Sequence, residues 1–180
     1  GQACGPGLAC DSVGACSVEL VCDASTQGPG VLQGNVFVDG VNTAGDLAAL
    51  AGKWCVTGNL SVAGTLLPSL SALHDLVEVG GNFTVGGWMP GCTYPCATGN
   101  AALTSLDGLQ QLRRVGGYLQ LQEYAPGVST LSPLAALKSV DEVYMLGDNT
   151  ITDLNGLNGL RSVQRFALEG ASALTTVAGI

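Results

Sequence analysis

The chain has 180 residues, 47% of them apolar, and fourteen Asp and Glu against six Lys and Arg, a formal charge of -8. With only Arg113 and Arg114 adjacent among its basic residues, it lacks the basic face that a nucleic-acid backbone or an anionic membrane requires. It is too apolar to be disordered, its 27 glycines keep no three-residue period, and no run of eighteen uncharged apolar residues spans a bilayer.

The length suits one domain, or one domain with a small appendage. Cys4, Cys10, Cys16 and Cys22 recur every six residues, Cys55 follows alone, Cys92 and Cys96 stand in CTYPC, and no cysteine follows. This placement predicts disulfides in a cysteine-rich cap over residues 1–30, with the pairing left open. Structural zinc is disfavoured, because tight Cys-x-x-Cys pairs are missing and the single histidine, His74, is remote in sequence.

From residue 31 onward a phrase recurs. GNVFV, GNLSV and GNFTV begin at Gly34, Gly58 and Gly81, spaced by 24 and 23 residues. LPSLSALHDLVEVGGNFTV, LTSLDGLQQLRRVGGYLQL, LSPLAALKSVDEVYM and ITDLNGLNGLRSVQRFAL place an apolar residue at every third position and run into Val79, Val115, Val140 and Val163. A step of three residues drifts around an α-helix but stays aligned in a 3₁₀ or extended coil. The short segments that follow alternate, as strands do: Phe83 and Val85 point one way, Asn82 and Thr84 the other. The gap of 36 residues between Val79 and Val115 marks an inserted cysteine loop at 86–100. The expectation is an all-β fold, a parallel β-helix or solenoid of 23–25-residue leucine-rich repeats over 31–180, with a disulfide-rich N-terminal cap. ALTTVAGI at the end predicts either a continuation beyond Ile180 or a special cap.

Chemistry is scarce in the sequence. His74 has Asp75, Ser69 and Ser71 nearby but sits at a spacer position of the leucine phrase, without the elbow or oxyanion hole of a nucleophile. Asp107, Asp141, Glu142, Asp148, Asp153 and Glu169 are dispersed near turns, and Asp148-Asn149 lies in no twelve-residue calcium loop. Gly80-Gly81 and Gly116-Gly117 lead into strands with no Lys-Ser/Thr, which excludes a phosphate loop. The outward positions are too mixed and too poor in threonine for an ice-binding face. Asn59-Leu60-Ser61 and Asn82-Phe83-Thr84 are N-glycosylation triplets with outward asparagines. Tyr118 and Tyr144 stand at outward positions of consecutive phrases, a candidate recognition surface.

The spacing and the phrase, best seen in LTSLDGLQQLRRVGGYLQL, resemble the receptor L-domain family, over roughly Val31 to Leu168. That family includes the L domains of insulin- and epidermal-growth-factor-type receptors and modules of fungal cell-wall proteins. The resemblance implies a right-handed parallel β-helix at a cell surface, without catalytic residues. The expected function is an extracellular structural or adhesive module of a surface, wall, coat or appendage; the alternative is the ligand-binding ectodomain of a receptor. No enzymatic activity, cofactor or metal is expected. The expected partners are surface or matrix proteins or glycans, and the expected location is extracellular or at the cell surface.

Overall fold

The computed structural model describes residues 22–87, 99–122, 127–147 and 150–178, together with the backbone of 9–10 and 16–17. Two short strands, β1 (Ala9–Cys10) and β2 (Cys16–Ser17), pair antiparallel. The main sheet is parallel and holds nine strands. They are β3 (Val31–Leu32), β4 (Val36–Val38), β5 (Cys55–Val56), β6 (Leu60–Val62), β7 (Glu78–Val79), β8 (Phe83–Val85), β9 (Arg114–Gln122), β10 (Ser139–Leu146) and β11 (Arg165–Glu169). Strands β7 and β8 lie end to end against the two halves of β9, pairing Val79 with Val115 and Phe83 with Leu119. The register therefore aligns one segment of the chain with the next: Val36, Leu60, Phe83, Leu119, Val143 and Phe166 form a single row.

The leucines at every third position are buried because of how their backbone closes. Each amide donates to the carbonyl three residues back: Leu73 to Leu70, Leu76 to Leu73, Leu109 to Leu106, Leu134 to Leu131 and Leu157 to Leu154. That i to i−3 bond gives three residues per turn, so the leucines line up on one side. All of these leucines are at most 2% exposed and belong to one continuous core with the inward strand residues.

The connections between strands are unlike one another. The first contains a helix, α1 (Thr43–Leu50), while Leu70 and Leu131 lead into single 3₁₀ turns at Ser71–Leu73 and Ser132–Leu134. Ala and Leu in TAGDLAAL favour helix, Asp46 lies in its first turn, where a negative charge is favourable, and the Asp39 carboxylate accepts the amides of Val41 and Asn42 just before it. Leu50 is its buried residue, and the chain leaves through Gly52 at φ +70°.

The expected architecture is corrected on this point. The described residues form a single domain with a parallel main sheet and one α-helix, not an all-β, right-handed parallel β-helix or solenoid of equivalent leucine-rich repeats. Among the described residues no second sheet lines the returns, which are made of helix, 3₁₀ turns and coil, and one core runs through every segment. The crossover from β4 through α1 to β5 is the strand, helix, parallel strand connection from which Rossmann-like sheets are assembled. The successive segments nevertheless stack in chain order, so the sheet lacks the reversal of order at which such folds hold nucleotides. Among the described residues no helix is long and apolar enough to cross a membrane.

Cys22 and Cys55 form a disulfide, 33 residues apart in sequence, that ties the start of the described chain to β5. Beside it lies Glu78, 1% exposed, whose Oε1 accepts the Cys22 amide at 2.9 Å and pairs with the Arg114 guanidinium, while Oε2 is buried with no partner. Burial raises the Glu78 pKa, and the Cys22 amide and Arg114 oppose the shift. A carboxyl whose folded pKa is raised binds more protons in the native than in the unfolded state, so its favourable contribution is lost as pH rises from its unfolded value through the folded one. Glu78→Gln keeps an acceptor for Cys22 and removes the buried charge. Urea denaturation at pH 4 and pH 7 should show the variant gaining stability relative to the parent as pH rises. A relative loss would mean that the ion pair with Arg114 outweighs desolvation.

Candidate binding trough on the outer sheet face

The residues that face away from the core form two columns. In the first, Asn35, Asn59 and Asn82 stand just before β4, β6 and β8, and the column continues in register through Tyr118, Glu142 and Arg165. The second runs Phe37, Ser61, Thr84, Gln120, Tyr144 and Ala167. Between them, over the first four segments, lies a trough of about 500 Å³.

Its wall is held by the asparagines. The Asn35 Oδ1 accepts the Asn59 amide at 2.9 Å, Asn59 accepts the Asn82 amide at 2.8 Å, and Asn82 accepts the Tyr118 amide at 3.1 Å. Each side chain thus bonds the segment stacked on it. The residue before each donating amide is Gly58, Gly81 or Gly117, and a Cβ there would collide with the carboxamide of Asn35, Asn59 or Asn82 respectively. The Gly-Asn phrase is therefore a packing device: glycine makes the space that the preceding asparagine fills.

Across the trough the polar groups of the described lining residues are amides and hydroxyls, with no charged side chain among them. Gln120 donates to the Gln122 Oε1. Phe37, 42% exposed, stands at one end and Tyr118 at the other. Beyond Tyr118 the face becomes charged. Tyr144 meets Tyr118 edge-on at 5.8 Å between ring centroids, donates to the Glu142 carboxylate, and carries the Arg165 guanidinium 5.4 Å above its ring. The bond to Glu142 holds the Tyr144 phenol above its ordinary pKa, with Arg165 opposing.

The structure thus brings together Tyr118 and Tyr144, and it sets Asn59 and Asn82 in the trough, where a glycan on either would occupy it. Cys22 and Cys55 are joined. Cys10 and Cys16 are cross-strand partners in backbone register, and Cys4, Cys92, Cys96 and Asp148 lie outside the described residues. His74 is exposed, with Asp75 3.3 Å away and Nδ1 3.0 Å from the Ser71 carbonyl oxygen. Asp107, Asp141 and Glu169 are exposed and Asp153 half-buried, each at a separate place in the chain's stack. Among the described residues no three His, Cys, Asp or Glu are grouped to hold a metal ion.

Two features of this region escape a reading of the sequence. The asparagine ladder is signalled by the repeated Gly-Asn pair, but the role of the side chain becomes visible only once the segments are stacked. Glu78 occupies a position that alternation assigns to solvent; its cover comes from Cys22 and Arg114, far away in sequence.

No family model, no curated protein and no solved structure matches the chain. The resemblance to the receptor L-domain family therefore does not hold for this fold. The functions taken from that resemblance, an extracellular structural or adhesive module or a receptor ectodomain, go with it. They required a repetitive surface array, and the described residues form one domain on one parallel sheet with one helix and a single main core.

Proposed function

We propose that this domain is a non-catalytic binding module whose ligand lies in the trough between Asn35 and Gln122, and that it works in an oxidising compartment outside the cytoplasm. The trough carries the reading. It is concave, spans four stacked segments, combines convergent amide and hydroxyl groups with two aromatic rings, and sits on a sheet whose main chain is already paired. Its lining offers donors and acceptors in abundance, whereas among the described residues the carboxylates and His74 lie outside it. The Cys22–Cys55 disulfide supports the compartment, since such bonds persist where thiols are not kept reduced.

Filling the trough tests the site. Thr84 is half-buried at its middle, and Thr84→Trp places an indole there; Thr152, exposed and away from the outer face, supplies the control Thr152→Trp. Saturation-transfer NMR against a set of neutral mono- and disaccharides and dipeptides should give transfer to at least one compound with the parent and with Thr152→Trp. Thr84→Trp should lower that transfer about tenfold, equivalent to about 1.4 kcal/mol. Equal transfer in all three proteins would place the ligand elsewhere.

A further inference from the structure

We infer that the ligand of the trough is a neutral glycan chain lying across the strands, an assignment that rests on the trough being the binding site. Charge narrows the class first. Among the described residues the lining has no cation for a phosphate, sulfate or carboxylate and no carboxylate for an amine, and the chain as a whole carries -8. An anionic polymer would meet repulsion without compensation, and a cationic one would find no partner in the trough.

Hydrogen-bonding capacity narrows it further. Ser61 and Thr84 hydroxyls both donate and accept, and glutamine amides do so with separate atoms. The asparagines spend their carbonyl oxygens on the next segment's amide, which leaves their NH₂ groups to donate. A dense mixture of donors and acceptors without charge matches a surface of hydroxyl groups. The rings of Phe37 and Tyr118 suit the other property of a sugar, its apolar C–H face, since an aromatic face buries area at small entropic cost.

The geometry selects a chain over a single ring. Segments stack about 4.8 Å apart, so the four-segment trough runs roughly 15 Å. Each segment offers one group from the asparagine column and one from the Phe37 column, and a polymer with units about as long as this spacing meets an equivalent pair at every step. A peptide is disfavoured for a specific reason. Extended peptides are taken up by sheet edges through unpaired main-chain groups. Here the main chain beneath the trough is committed to the ladders joining β4, β6, β8 and β9.

Native affinity electrophoresis tests the assignment, using the whole chain in gels containing mixed-linkage β-glucan, galactomannan or dextran, with heparin as the polyanion and a soluble Ser-Gly repeat peptide as the neutral peptide probe. At least one of the three neutral polysaccharides should retard the protein, heparin should not, and Phe37→Ala/Tyr118→Ala should weaken the retardation about tenfold or more. Phe37 and Tyr118 both reach solvent, and circular dichroism checks that the double variant is folded. Retardation by none of the three polysaccharides overturns the glycan assignment. So does binding of the Ser-Gly peptide alone; if that binding is lost in the double variant, the trough still stands as the site. Polysaccharide binding that is undiminished in the folded double variant overturns the site itself.

Discussion

Replacing Gly108 by alanine should destabilise the domain by about 3 to 5 kcal/mol, combining left-handed backbone strain with overlap against main-chain atoms. Gly108 has φ +114°, and a Cβ there would fall on the Leu70 carbonyl and within reach of the Ser71 nitrogen. Those atoms open the 3₁₀ turn at Ser71–Leu73 and cannot swing aside as a side chain would. The arrangement recurs two segments further, where Gly156, at φ +109°, faces the Leu131 carbonyl and the Ser132 nitrogen. Gly34 provides the comparison: its φ is +80° but nothing lies within 4 Å of an added Cβ, so Gly34→Ala should cost only about 1 kcal/mol. Urea denaturation of the two variants measures the difference. Equal costs for Gly34→Ala and Gly108→Ala would mean that the leucine-bearing turns are not seated on one another.

The second large effect is expected from the disulfide. Removing Cys22–Cys55, which closes 33 residues, should cost about 4 kcal/mol through the freedom restored to the unfolded chain. For a domain of this size that corresponds to a fall in Tm of roughly 10 °C. The Cys22→Ala/Cys55→Ala protein should retain the trough, because Asn35, Asn59 and Asn82 bond one another's segments independently of the disulfide. A change in Tm under about 2 °C would show that Glu78 and the neighbouring main chain hold Cys22 in place unaided.

What the sequence discloses, and what it conceals, follows from how far each interaction reaches along the chain. The every-third-residue leucines are legible because the bond that aligns them spans three residues, as from Leu109 to Leu106. The alternation of Phe83 and Thr84 is legible for the same reason, since the strand repeats every two residues. The helix Thr43–Leu50 is not, because TAGDLAAL carries no leucine phrase and its short length gives no clear stripe. Val163 marks the limit of the pattern: it occupies the position of the buried Val115 and Val140 but is 40% exposed. The phrase describes the turn and the strand locally, while the shape of each connection depends on what it packs against. That is why resemblance of the phrase misdirected the architecture and, with it, the function. For the trough, Asn82, Thr84 and Tyr118 were readable as outward-facing. That Asn82 bonds the Tyr118 amide across 36 residues was not.

The most direct test of the trough as binding site is a map of ¹H–¹⁵N chemical shifts on addition of whichever neutral saccharide or dipeptide gives saturation transfer. The amides of Phe37, Ser61, Thr84 and Gln120 should move together, with the same dissociation constant, while those around His74 and Asp75 stay in place. Shifts centred on His74–Asp75, or on Arg165 without the trough, would contradict the account.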